Sequence, residues 1–234
     1  MSDLVSIDRR FRGPPDSANG GYAAGAVAAH VGGAAEITLR LPPPLETPLE
    51  VRRDTGRITL TDGPRLVAEG TAGATEIAVR DPVDLAVAEE SARGYIGFDG
   101  QTFMECFVCG PDRARGDGLR IFAGGVEGTD LVAAPWNTDR SLADAQGDVD
   151  PIYLWSALDC PTYFAGVRAY GPRRSLLGRI GGRIVGSAPC GEPLVVMAWP
   201  IGEEGRKTVS ASAIYTGDGR LLAGAVATWI TLKD

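Results

Sequence analysis

The chain is poor in histidine, in lysine and in paired cysteines. His30 is the single histidine among 234 residues. One imidazole cannot build an HExxH zinc site, and it leaves one candidate for any histidine-based triad or dyad. Positive charge is also scarce: 23 basic residues face 30 acidic ones, for a net charge of −7 and a pI of about 4.9. A duplex-binding module carries a basic footprint, and none is visible, so a nucleic-acid partner is not expected. Lys207 and Lys233 are the only lysines. The remaining basic residues are arginines, which suit bidentate phosphate contacts, so a phosphorylated small ligand stays open. The four cysteines do not suggest a disulfide scaffold. Cys106 and Cys109 form a CxxC, Cys160 and Cys190 stand apart, and the second close pair that a structural zinc prefers is missing. They read as small apolar or turn-forming residues, with no metal and no cofactor expected. The N-terminus MSDLVSIDRRFRGPP shows no apolar core of a signal peptide, and the mildest stretch, 20–35, is too short and too weakly apolar to span a bilayer. No membrane partner is expected, and a reduced, cytoplasmic location is. GxSxG, Walker A and strand-linked GxGxxG motifs are absent.

Two segments read as helices. NGGYAAGAVAAHV (19–31) follows the capping candidates Asp16 and Ser17 and ends at Gly32-Gly33. Its small residues allow very close packing. PIYLWSALDCPTYFAGV (151–167) opens on an Asp150-Pro151 cap and is apolar nearly all round, which predicts a buried helix stopping at Gly166. Pro161 should kink it beside Asp159. Strand patterns fall at 36–41, 49–54, 57–62 and 66–72, and again at 119–124, 130–136, 176–185, 193–201, 207–216 and 221–232. The turn Gly217-Asp218-Gly219 predicts a hairpin between the last two.

The order of elements repeats. Each half runs helix, strand, Pro-containing crossover, then further strands, and DGPRLVAEG in the first half has a counterpart in DGRLLAGA in the second. A duplicated unit follows, with residues 1–92 as the first unit and its trailing linker, and 93–234 as the second. The polar stretch from about 80 to 102 serves as the connection. One helix followed by antiparallel strands implies a two-layer α+β unit with a sheet wrapped around a buried helix. Two such units side by side would join their sheets into one, with both helices on its concave side.

Three stretches carry a family resemblance: Ser17-Ala18-Asn19-Gly20-Gly21-Tyr22-Ala23-Ala24, then Cys106-Phe107-Val108-Cys109-Gly110 with Gly118-Leu119, then Leu158-Asp159. Together and in this order they resemble the hotdog-fold acyl-CoA thioesterase superfamily in its double-hotdog form. The resemblance implies an α+β double hotdog, an acyl-CoA or related thioester as substrate, a catalytic carboxylate at Asp159, and a homo-oligomeric assembly.

Thioester hydrolysis needs an activated water and donors for the developing oxyanion. A helix N-terminus offers unpaired N–H groups and partial positive charge, and glycine there lets a carbonyl come close. Asn19, Gly20 and Gly21 meet those needs. Asp159 is the only formal charge between Pro151 and Gly166. A carboxylate on a buried apolar helix must be hydrogen-bonded or have a raised pKa, which makes it a candidate base for water. Trp155, Asp159 and Tyr163 would share a helix face, placing the acid between aromatics. Ser156 and Thr162 are candidates for positioning substrate or water, although both can simply bond the helix backbone. In the thioesterase II branch the acid works with a threonine and a glutamine on later strands. Here Ala227 or Thr228 stands where the glutamine is expected, so Thr228 is the candidate substitute. Arg179 and Arg183 in GRIGGRIVG are candidate donors to nucleotide phosphates, and Arg173-Arg174 is a second basic pair. His30 reads as a solvated or core-edge residue.

Carboxylate-activated hydrolysis of an acyl thioester is thus the expected function. The alternatives are a non-catalytic acyl-binding or scaffold protein, which the missing glutamine favours, and a hotdog dehydratase or hydratase, which the lack of a His–acid pair disfavours.

Overall fold

A computed structural model describes residues 3–73, 76–100 and 103–233. Eleven strands form a single sheet in which every neighbouring pair runs antiparallel. The first half contributes β1 (Asp3–Val5), β2 (Ala35–Leu39), β3 (Leu49–Asp54), β4 (Arg57–Asp62) and β5 (Arg65–Ala72). The second contributes β6 (Gly124–Gly125), β7 (Val132–Asn137), β8 (Ser175–Ile184), β9 (Pro193–Glu204), β10 (Lys207–Thr216) and β11 (Leu221–Thr231). The spatial order is β1-β3-β4-β5-β2-β8-β11-β10-β9-β7-β6. The two halves meet at β2 and β8, where Ala35 to Thr38 pair with Gly182 to Arg179.

Strict alternation in the sequence decides which side each residue faces. Ile37 lies opposite Ile180, Ile180 opposite Ala227, and Ala227 opposite Ser210, so these four share one face. Two long helices cover that face. The first, α1 (Gly20–Val31), rests on β2, β4 and β5. After α2 (Leu85–Arg93) and α3 (Pro151–Ala157), the other, α4 (Cys160–Tyr170), rests on β9 and β10. Val27 and Phe164 therefore belong to one continuous apolar core with Ile37, Leu60, Val196 and Ile214.

The helical segments depart from the sequence reading in three ways. Asn19, not Asp16 or Ser17, caps α1: its side chain accepts from Tyr22 N. The second segment is not one kinked helix. It breaks into α3 and α4 at Leu158-Asp159, and Pro161 falls in the first turn of α4, where a missing N–H costs nothing. Its end is Gly171, at φ 85°, because Gly166 sits in the helix against Thr208 and Ser210, where bare backbone permits close approach.

The connection also holds more structure than its polarity suggests. Within it α2 buries Ala88 on the opposite face of the sheet, against a second cluster that includes Val195, Met197, Ala211 and Ala213. The strand expected at 119–124 is nearly absent. Arg120 has φ 56°, which breaks any ladder, and only Gly124–Gly125 pairs with β7. The freed segment bonds elsewhere: Leu119 N donates to Phe107 O at 2.8 Å and Ile121 N to Val108 O at 2.9 Å, bracing the CxxC turn. Among the described residues no helix is long and apolar enough to cross a membrane.

Candidate active site

The small residues of α1 bring it against α3 and the α3–α4 break. A Cβ on Gly21 would lie 2.6 Å from Asp159 Cβ and 2.7 Å from Trp155 O, and one on Gly25 would lie 3.0 Å from Ile152 Cγ1 and Trp155 Cβ. Only glycine at 21 lets the N-terminus of α1 meet Asp159.

That meeting defines the site. Asp159 is 1 % exposed. Its Oδ2 accepts from Asn19 Nδ2 at 2.8 Å and from Gly21 N at 2.9 Å. Its Oδ1 is equally buried and has no partner among the described residues. Burial pushes this carboxyl up to about 7, opposed by the Gly21 N–H and the Asn19 amide and reinforced by Cys106. Asn19 is itself 2 % exposed and spends both ends of its amide, with Oδ1 on Tyr22 N and Nδ2 on Asp159. The N–H of Gly20 finds no acceptor among the described residues.

A cavity of about 690 Å³ opens at this point. Asn19, Gly20 and Asp159 line its inner end, and apolar side chains including Leu39, Phe164, Leu177 and Trp229 line its walls. Arg40, Arg173 and Arg174 also line it. Arg40 is held by Glu69, and Arg173 Nη1 lies 2.8 Å from Glu203 Oε2. Arg174 has no ion pair among the described residues.

The structure thus gathers Asp159, Asn19, Gly20 and Gly21, and gives the two glycines different tasks. Gly21 N–H holds the carboxylate, whereas Gly20 N–H has no acceptor among the described residues. The remaining candidates stand differently. Ser156 Oγ donates back to Ile152 O at 2.8 Å and does not line the cavity. Thr162 Oγ1 donates to Asp159 O at 2.5 Å and accepts from Trp229 Nε1 at 2.8 Å, so it braces the backbone behind the acid. Thr228, Arg179 and Arg183 lie outside the cavity lining, and Arg179 pairs with Glu36 at 3.1 Å. Arg173-Arg174, the second basic pair of the sequence reading, is the one at the cavity. The helix that was to carry Trp155, Asp159 and Tyr163 on one face is broken at Asp159; Trp155 Cβ lies against Gly25, and Tyr163 packs on Trp229 with ring centroids 5.1 Å apart. His30 lies far down α1, with Nδ1 2.9 Å from Arg53 Nη2.

Sequence reasoning missed one group altogether. Cys106, Cys109 and Cys160 are buried, in no disulfide, and have their sulfurs within 4.8 Å of one another beside Asn19 and Asp159. The CxxC was visible; that Cys160 follows the candidate acid and closes on it was not.

No protein-family model matches the sequence, and no curated protein matches it. Solved structures do share the fold. A provisionally assigned thioesterase from Novosphingobium aromaticivorans superposes with a TM-score of 0.66 at 15% identity, over 98% of this chain and 95% of that one. A TesB protein from Mycobacterium avium subspecies paratuberculosis gives 0.66 at 10% identity, over 98% and 92%. Acyl-CoA thioesterase II TesB2 from Mycobacterium marinum gives 0.59 at 13% identity, over 99% and 96%. At these identities the likeness is one of fold: a large antiparallel sheet with helices, in the hotdog-like α+β class.

Proposed function

We propose that this protein hydrolyses an acyl thioester, with acyl-CoA as the substrate class, through a water activated by Asp159. The observation that carries the reading is the divided carboxylate: one oxygen anchored by Asn19 and Gly21, the other unpaired at the end of a mostly apolar cavity. A carboxylate held by one oxygen presents the other to a water in a fixed direction, which is what a general base requires. The free Gly20 N–H, at the positive end of α1, polarises the thioester carbonyl and takes up charge as the oxyanion forms. The proton removed from water leaves on Asp159 and passes to the departing thiolate. The apolar walls accept the acyl chain, and Arg174 offers a cation to the phosphates of the carrier.

The chain is read as a double hotdog, with units 1–92 and 93–234 sharing one sheet through β2 and β8 and each curving around its own helix. The likeness in fold to solved thioesterases along nearly the whole chain supports this reading, as does the repeated order of elements. A cytoplasmic, homo-oligomeric enzyme is the matching expectation. Binding without turnover is the second reading. It draws on a specific observation: Thr162 is spent on structural bonds and Thr228 lies off the cavity, so neither threonine is placed to act with the acid there.

The test is release of free thiol from a series of acyl-CoA esters of rising chain length, run with the native chain and with Asp159→Asn. Turnover by the native chain that falls at least 100-fold in the variant supports the proposal. Equal rates would remove Asp159 from the mechanism, and tight acyl-CoA binding with no turnover would establish the second reading.

A further inference from the structure

The three buried cysteines have a geometry of their own, independent of the hydrolysis reading. Cys106 and Cys160 are 54 positions apart in sequence, yet their sulfurs are 3.7 Å apart. Cys109 completes a triangle whose members all lie within 4.8 Å. Thiolates bound tetrahedrally to zinc at about 2.3 Å lie about 3.8 Å from one another, so Cys106 and Cys160 are already spaced as two corners of a coordination tetrahedron, with Cys109 within 4.8 Å of both. A disulfide needs sulfurs about 2.05 Å apart and would leave the third thiol unused.

The surroundings hold the three sulfurs in place. Cys106-Phe107-Val108-Cys109-Gly110 makes a tight turn in which Gly110 N donates to Cys106 O at 2.9 Å. Gly110 is required to close that turn, since a Cβ there would fall 2.5 Å from both Cys106 N and Met104 O. Phe107 O and Val108 O are tied to Leu119 and Ile121, and Tyr95 Oη donates to Cys109 O at 2.9 Å. Cys160 is the first residue of α4, at the positive end of an 11-residue helix. The Asn19 amide lies 3.7 Å from Cys160 Sγ and 3.9 Å from Cys106 Sγ as a further donor, in the way that outer groups orient metal ligands. All three cysteines line the cavity, so a fourth ligand can arrive from it.

We propose that Cys106, Cys109 and Cys160 form a three-thiolate site for a soft divalent cation of the zinc class, with the fourth position facing the cavity and filled by water. Binding releases the thiol protons, and the ion replaces three neutral S–H groups with a bonded cluster joining the CxxC turn to α4. The sequence lacks a second CxxC, but the fold supplies the third ligand from the other side of the core.

Zinc content of the full chain, expressed with added zinc and purified under reducing conditions, tests the site. The expected result is about one ion per chain, retained in Cys190→Ser and lost on desalting from Cys109→Ser and Cys160→Ser. Should those variants misfold, titration of the stripped native chain with Co²⁺ decides: a thiolate-to-cobalt charge-transfer band with tetrahedral visible bands is expected, displaced by zinc. A native chain without stoichiometric zinc and without that band overturns the proposal, and so does a band that survives unchanged in folded Cys160→Ser. Neither readout depends on thioester turnover, so this site and the proposed activity fail separately.

Discussion

The two long helices begin side by side, and their first residues are used in opposite ways. Asn19 turns back on its own helix and caps α1 through Tyr22 N. Asp159, in the same position on α4, makes no side-chain hydrogen bond to its own helix. It reaches across instead and accepts from Gly21 N at the start of α1. Asn19 has partners at both ends of its amide, Tyr22 N at Oδ1 and Asp159 at Nδ2. The crossed cap satisfies one oxygen of a carboxylate and leaves the other buried and unpaired. Leaving a buried acceptor unpaired costs about 1–3 kcal/mol, a cost natural proteins tend to retain where the group has work to do. The asymmetry between two equivalent positions is therefore a functional signal that neither residue gives alone.

The sharpest way to break the comparison is to make the two caps alike. Asp159→Asn keeps an acceptor toward Asn19 and Gly21 but cannot take a proton from water. Turnover of acyl-CoA should fall about 10²- to 10⁴-fold, the range for loss of a general base, while the circular dichroism spectrum stays that of the native chain. Retained activity would mean that the crossed cap is structural.

Gly21→Ala attacks the crossing from the other side. Its Cβ would fall 2.6 Å from Asp159 Cβ and 2.7 Å from the Trp155 carbonyl, a backbone contact that cannot move aside cheaply. A loss of about 1–3 kcal/mol in denaturant unfolding is expected, with activity lost alongside it. Thr162→Val comes next. It strips the Trp229 indole N–H of its buried acceptor, for about 1–3 kcal/mol, and should alter KM little, because the hydroxyl braces backbone and does not line the cavity. A large rise in KM without destabilisation would instead put Thr162 on the substrate.

The sheet was legible in the sequence because alternation is a local signal: β3, β4 and β10 run over the very residues that alternate. Helix ends were less so, because capping depends on where the chain arrives. Asp16 and Ser17 are as good capping residues as Asn19, and only the tertiary position of the turn chooses. Pro161 was visible, but a kink and a restart look alike in one dimension. Of the site, Asp159 stood out because a lone charge in an apolar helix is conspicuous, and Asn19-Gly20-Gly21 because glycines at a helix start are. Cys160 did not, since its partners lie far away in sequence. Arg179 and Arg183 drew notice as a basic, glycine-rich run, yet strand alternation sets them on the side of β8 turned from the core, while Arg173-Arg174, just before β8, reach the cavity.

That last contrast carries the smallest prediction. Arg179 is half-exposed and pairs with Glu36 across the β2–β8 seam. Exposed pairs of this kind contribute about 0–1 kcal/mol, so Arg179→Ala should leave unfolding nearly unchanged and kcat/KM for acyl-CoA within about twofold. Arg174→Ala removes a cation at the cavity that has no ion pair among the described residues, so KM for acyl-CoA should rise about 3- to 10-fold while kcat holds, the pattern of binding energy shared by ground and transition states. The rise should vanish when the substrate is a short thioester of a carrier without phosphates. If Arg179→Ala raises KM as much as Arg174→Ala does, the carrier lies along the outer face of the sheet and not over the mouth of the cavity.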